Sequence, residues 1–340
     1  MARDDTVTMK DIAREAKVSA SAVSLALRGS PRISELTRTR ISEIAERMGY
    51  RPNPLVSALM QSRRRPHQEQ GFLTGAYLSF EEMAPVLREE SIYAEFERGA
   101  MAEAARQGIR LEKFKVDSEM PLSRIGQILH ARGIRGIVVS PLPPELEEIE
   151  WDWAGVSAIA IGPTLRKPAL HRVMSDHYSN MESLLKACAT WGYRRPGLCL
   201  ETLSDERIGG QWEACFLRQQ TENPLFEKVP LMKYADLSDS YLLHWIRDER
   251  PDVVICSSPW RILSIFEKAD IRLPEDVGLA SVSAARPDGD LSGIVEDGFS
   301  AGAQSVSQLL RMVYANEVGL PENPLKILLP GRVYRGRTTR

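Results

Sequence analysis

Hydroxyl groups and cations gather at the start of the chain, in the stretch TMKDIAREAKVSASAVSLALR from Thr8 to Arg28. Thr8, Ser19, Ser21 and Ser24 supply hydroxyls there, and Lys10 and Arg28 supply positive charge. Residues 1–65 hold thirteen Lys/Arg against seven Asp/Glu, a net +6, while the remainder holds 31 against 39, a net −8. A basic head on an acidic body suits a polyanionic partner for the head alone. Residues suited to catalysis are harder to find. No GxGxxG, P-loop, GxSxG or HExxH is present, and His67, His130, His171, His177 and His244 are scattered, which suits surface or helix-face roles. Cys188, Cys199, Cys215 and Cys256 lie in apolar or helical contexts without a CxxC pair, which predicts reduced core thiols and a cytosolic compartment. Neither a metal site nor a cofactor is expected.

The elements that must position the head residues follow from capping and apolar spacing. Thr8 with Asp11 three residues on is a capping-box pattern, and Ile12, Ala13 and Ala16 form one apolar face behind it. Lys17-Val18-Ser19 breaks the run, and Ser19 caps a second short helix. Its Val23, Ala26 and Leu27 are expected to face inward, and Ala20, Ser21, Ser24, Leu25 and Arg28 outward. Two short helices with alanines at the crossing make a helix-turn-helix, although a plain helical hairpin would share the pattern. A third helix, capped by Ser34 and stopped by Gly49, presents Ile41, Ile44, Ala45 and Met48 to cover the pair. Behind it, Asn53 as N-cap with Pro54 at the first helical position specifies a short helix too small to stand alone.

From Gly71 the pattern changes to alternating strands and helices, as a parallel sheet with crossover helices requires. Strands are expected at 72–80, 110–116, 136–140 and 156–162, with helices at 93–107 and 122–131. A second series from about Ser175 has helices at 180–191, 208–219, 238–247 and 262–269. Its strands are expected at 196–200, 228–231, 253–257 and 277–282, with a late helix at 301–315. Two series of similar size predict two lobes, with the ligand cleft between them. No apolar stretch approaches a membrane span, so no membrane partner is expected.

The segments VTMKDIAREAKVSASAVSLALRG and MGYRPNPLVSALMQSRR, with the third helix between them, resemble the LacI/GalR bacterial transcriptional regulators over roughly sixty residues. The resemblance implies an all-α N-terminal helix-turn-helix head plus an α/β two-lobed, periplasmic-binding-protein-like core. Residues 1–52 would be the DNA-binding domain, 53–70 the hinge helix and linker, and 71–340 the effector-binding and dimerisation core. Lobe one would span about 71–173 and 289–321, and lobe two about 174–288 and 322–335. Crossings between lobes would fall near Val173–Asp176, Pro287–Leu291 and Leu320–Pro324.

On the same resemblance Ala20, Ser21 and Leu25 would meet base edges with Lys10 nearby. Apolar contacts to thymine methyls would replace bidentate readout. Thr8, Ser19, Ser24, Arg28 and Arg32 would hold the backbone. Asn53 would start the hinge helix, Val56 would pack on the partner's, and Leu59 would wedge into the minor groove. The implied protein is a cytoplasmic, nucleoid-associated repressor and not an enzyme. It would bind a palindromic double-stranded operator as a homodimer under the control of a small-molecule effector. Arg207, in SDERIGGQW, matches the family's effector arginine. Ser258-Pro259 and Ser283-Ala284 stand where members commonly carry Asn-Asp and an aspartate, which removes paired acceptors for sugar hydroxyls. Trp260, Asp297, Trp212, Tyr77 and Phe80 are further candidates for the pocket wall. The rival readings are a cytosolic α/β enzyme and a small-molecule binding protein with an accessory helical head.

Overall fold

The computed structural model describes residues 7–27, 33–50, 74–80, 92–283, 286–287 and 289–340. The chain divides into two compact units, residues 1–70 and 71–340. Arg28, Arg32, Asn53, Val56 and Leu59, and with them the expected hinge helix, lie outside the described residues, as does the side chain of Lys10.

In the first unit α1 (Met9–Ala16), α2 (Ala20–Ala26) and α3 (Glu35–Arg47) enclose a small core. Ile12, Val23 and Ile41 are fully buried at its centre, flanked by Ala13, Ala16, Ala26, Ile44 and Ala45. The expected caps are formed: the Asp11 carboxylate accepts from the Thr8 backbone N–H at 3.0 Å. Ser19 Oγ accepts from the Ala22 N–H at 3.1 Å, and Ser34 Oγ from the Thr37 N–H at 3.4 Å. Between α1 and α2 the chain turns through Lys17 at φ 52°. Arg40 braces the end of α1 by donating to the Ala16 carbonyl at 3.0 Å.

The second unit holds two six-stranded sheets. The strands are β1 (Thr74–Phe80), β2 (Arg110–Val116), β3 (Gly136–Val139), β4 (Ser157–Ile161), β5 (His171–Ser175), β6 (Pro196–Glu201), β7 (Met232–Tyr234), β8 (Val253–Cys256), β9 (Gly278–Ser281), β10 (Ser292–Val295), β11 (Lys326–Leu329) and β12 (Arg332–Tyr334). The first sheet runs β11-β5-β4-β3-β1-β2 and the second β12-β10-β9-β8-β6-β7. All pairings are parallel except β10 with β12. Side chains alternate between faces as the pleat demands. Ile137 and Val139 enter one core cluster and Val138 the other, and Val253 and Ile255 are separated from Val254 and Cys256 in the same way.

Helices α4 (Ile92–Arg106), α5 (Leu122–Ala131), α6 (His177–Thr190), α7 (Thr202–Arg207), α8 (Gln211–Glu222), α9 (Asp239–Glu249), α10 (Pro259–Lys268) and α11 (Gly298–Ala315) cover the sheets. The four cysteines are free and buried. No helix among the described residues is long and apolar enough to cross a membrane.

Several expected boundaries move. The helix expected at 208–219 starts only at Gln211, because Gly209 and Gly210 adopt φ of +79° and +70°, and the short helix α7 ahead of it was not expected. The strand expected at 228–231 starts only at Met232, since Pro230 has no N–H to give the ladder. The first crossing lies beside Asp176, within its expected range. The other two fall at 296–297 and 330–331 rather than near Pro287–Leu291 and Leu320–Pro324. The cause is strand pairing: Ser292–Val295 pairs with β9 in the second sheet, and Lys326–Leu329 pairs with β5 in the first.

Helices α4 and α11 cross in closest contact at glycines. A Cβ on Gly302 would land on the Phe96 carbonyl oxygen, and one on Gly99 would land on that of Phe299. Gly302→Val should therefore force the helices apart and destabilise the core by about 3 kcal/mol. The measurement is thermal unfolding of the purified chain, and an unchanged midpoint would refute the close approach.

Candidate functional site

Two places combine exposure with suitable chemistry, one in each unit. In the head, the capped start of α2 leaves Ser19, Ala20 and Ser21 exposed, and Thr8 is exposed at the start of α1. Leu25 is half-buried. Ser24 departs from expectation: it is 7% exposed, on the flank of the inward stripe beside Val23 rather than on the outer face. Leu27, expected inside, only partly packs against the core.

In the core, a cavity of about 350 Å³ lies between the lobes. Tyr93 and Phe96 from α4, with Pro141, Pro163 and Thr164 from loops after strands of the first sheet, form one wall. Glu201, Ser204, Arg207, Trp212 and Ser283 form the other. The floor is made by the first two crossings, through Ser175, His177 and Glu296.

Local folding explains why those floor residues point where they do. Asp176 caps α6 by accepting from the Ser179 N–H at 3.1 Å, and Asp297 caps α11 by accepting from the Ser300 N–H at 2.9 Å. Each cap spends the aspartate on its own helix, and the neighbouring residue faces the cleft. His177 Nδ1 and Glu296 Oε1 face one another at 3.5 Å with side chains only 10% and 6% exposed. Neither atom has a hydrogen-bond partner, nor does the Nε1 of Trp212, whose ring meets His177 edge-on at 5.6 Å. Buried polar atoms are seldom left unmatched. Burial pushes the Glu296 carboxyl up to about 7, against a Ser175 hydrogen bond that acts to lower it. Burial also holds the His177 imidazole down to about 4.

Across the cavity the Arg207 guanidinium donates to the Leu142 carbonyl of the opposite lobe. That loop is fixed in turn by the Leu142 N–H donating to Thr164 Oγ1 at 2.7 Å. The Ser204 hydroxyl bonds the Glu201 carboxylate. A cavity with aromatic walls, few polar groups and an unsatisfied floor is equipped to bind a small molecule.

Of the expected pocket residues, the structure brings together Arg207, Ser283 and Trp212. Trp260 is 61% exposed on the outer flank of the second lobe, near Leu263, Asp290 and Arg337. Pro259 starts α10 directly at the strand end, and Ile262, Ile265 and Phe266 take the buried face, so Trp260 is left outside. Ser258 is the half-buried residue preceding that helix, away from the cavity lining, and Asp297 is an exposed cap. Tyr77 is buried in the first lobe's core, and Phe80 packs against that lobe's other cluster. His177 and Glu296 were not anticipated. The available signal was the paired acid Glu296-Asp297 and the Asp176-His177 pair, each at the end of a strand where only one residue is needed as a cap.

A family model described as "Bacterial regulatory proteins, lacI family" matches residues 8–53. Catabolite control protein A of Staphylococcus epidermidis is 22% identical over 98% of this chain and 99% of its own length. That of Streptococcus mutans is 40% identical over 63 residues, 18% of this chain and 19% of the relative. Among solved structures, the complex of the transcriptional regulator CelR with cellobiose covers 98% of this chain and 99% of its own, at TM-score 0.58 and 19% identity. The lac repressor dimer bound to operator and the anti-inducer ONPF has the same coverages, at TM-score 0.57 and 15% identity. At these identities the solved structures speak for the fold: a helical head and a core of two sheets.

Proposed function

We propose that this chain is a member of the LacI/GalR family of bacterial transcriptional regulators, a repressor that binds a palindromic operator as a homodimer. It is a DNA-binding regulator controlled by a small-molecule effector. The effector enters the inter-lobe cavity and carries out no turnover there. The observation that supports this best is that the cavity floor consists of the first two crossing segments. A ligand seated on Ser175, His177 and Glu296 touches the parts that must move when one lobe turns on the other. Because its walls come from both lobes, ligand binding favours one lobe arrangement over another, and that difference is available to shift affinity for DNA. Two structures of similar fold hold small molecules, the CelR complex with cellobiose and the lac repressor dimer with operator and ONPF, which supports a small-molecule ligand for this chain.

In the head, Ala20, Ser21 and Leu25 are the proposed base-facing set with Lys10 nearby, and Thr8, Ser19, Ser24 and Arg28 are the proposed backbone contacts. Ser24 is the least accessible of the proposed head contacts among the described residues. Residues 53–70 are the proposed hinge, with Asn53 and Val56 ordering it and Leu59 as its wedge. Leu59→Ala is expected to weaken operator binding by about 2 kcal/mol, on the order of one unstacked base step. Unchanged affinity and unchanged DNA bending would remove the wedge role. Arg207 and Ser283 are proposed effector contacts, and the protein is placed in the cytoplasm with the nucleoid. The decisive experiment is selection of genomic duplex fragments by the purified protein, followed by salt-dependent binding to the winning sequence and to a scrambled one. Preference for a two-fold symmetric site supports the reading. Equal binding to both, with and without cell-extract small molecules, overturns it.

A further inference from the structure

We propose that the floor of the inter-lobe cavity is an ammonium site, so that the small molecule it takes carries a protonated amine bound against the Glu296 carboxylate and flanked by aromatic rings. This deepens the assignment of the cavity as the effector site and rests on it.

The charges around the floor point this way. Glu201 and Glu296 line it from two different segments, against the single guanidinium of Arg207. Arg207 is already engaged with the Leu142 carbonyl across the cleft. Asp176 is committed to its helix cap and Glu201 to the Ser204 hydroxyl. Glu296 alone keeps a buried acceptor without a hydrogen-bond partner. His177 does not supply the missing cation, because burial keeps its imidazole neutral and its Nδ1 stands 3.5 Å away. An ammonium donates hydrogen bonds and brings the countercharge in one group, and Tyr93, Phe96 and Trp212 line the same cavity with the aromatic groups that favour a cation. A polyol is matched less well. Ser283 brings no carboxylate to the wall, Ser258 lies outside the lining, and the Glu201 carboxylate is engaged by Ser204, which leaves fewer free acceptors for adjacent hydroxyls.

Calorimetry on the full chain with two matched pairs of probes tests this: 2-phenylethylamine against 2-phenylethanol, and glucosamine against glucose. The amine of at least one pair should bind about tenfold more tightly than its alcohol, the difference between a charge-assisted and a neutral hydrogen bond. Glu296→Gln should bring that ratio close to one. A second readout needs no variant. Just below neutral pH the bound cation should ionise Glu296 and release up to about one proton, seen as heats that change with the buffer's ionisation enthalpy. Failure of both amines to bind, equal affinity within both pairs, or proton uptake overturns the ammonium site. If neutral members bind and Trp212→Ala abolishes that binding, the cavity remains an effector site of other chemistry. If an amine binds as described and leaves operator affinity unchanged at saturation, the ammonium site stands and the effector reading fails.

Discussion

Ile41→Asp is expected to abolish retention on operator DNA while leaving the unfolding transition of the core where it was. Ile41 is 0% exposed, at the junction of all three head helices with Ile12 and Val23. A carboxylate there has no partner in an otherwise apolar cluster, and burying it unpaired costs about 4 kcal/mol or more. Few residues make up the head core, so little stability is held in reserve. Residues 71–340 form a separate compact unit with their own four core clusters. Two measurements on one preparation therefore check the result: gel retardation with the selected operator, and the thermal transition followed by near-UV signals of the tryptophans. All six tryptophans lie beyond residue 150, so those signals report the core. A variant that retained operator binding would show that the three-helix core is not what holds the reading surface in place.

The second large effect concerns pH. Glu296, raised from an ordinary 4.5 to about 7, holds its proton more tightly in the folded chain. Its contribution to stability is full below about 4.5 and is lost as pH rises towards 7. His177, lowered from 6.5 to about 4, contributes stability above 6.5 that is lost as pH falls towards 4. Between 4.5 and 6.5 the folded pair and the unfolded pair each carry one proton, so the two slopes cancel. The wild-type chain should be nearly flat there as far as this pair is concerned.

Glu296→Gln removes one slope and should leave stability rising with pH by about 1.4 kcal/mol per unit. His177→Gln should leave it falling at the same rate. Denaturant unfolding of the three proteins across that window checks both signs. Slopes of the same sign in the two variants would contradict a buried pair sharing one proton.

Much of the architecture was legible in the residues because local chemistry determined it. Thr8, Ser19 and Ser34 cap the helices they were expected to cap. The long apolar strands at the sheet centres, such as Gly136–Val139 and Val253–Cys256, need both faces covered and announce themselves as continuous runs. The edges were not legible. Lys326–Leu329 and Arg332–Tyr334 are short and half exposed, with charged residues among them, so composition does not mark them as strands. Their pairing partners lie some 150 and 40 residues earlier, as Lys326 opposite Arg172 and Tyr334 opposite Gly293 show. Missing the edge strand Lys326–Leu329 displaced the third crossing, and missing the strand Ser292–Val295 displaced the second.

The site was affected in the same way. Arg207 could be found from its motif, whereas Trp260 looked like a ligand-stacking residue because its position after a strand was visible and its orientation was not. His177 and Glu296 acquire meaning only when the folded chain brings the ends of β5 and β10, from different sheets, together at the cavity floor.

The placement of β11 and β12 governs when the core can finish folding. One C-terminal stretch supplies the outermost strand of each sheet, laid against β5 in one lobe and β10 in the other. Thr338, beyond both, donates to the Leu279 carbonyl and receives the Ser292 N–H. During synthesis the head, built from contiguous residues, can close as soon as it clears the ribosome. Neither lobe seals its flank until residues 326–338 have been made, and a nascent chain stalled shortly before them would present two raw sheet margins at once to passing chaperones.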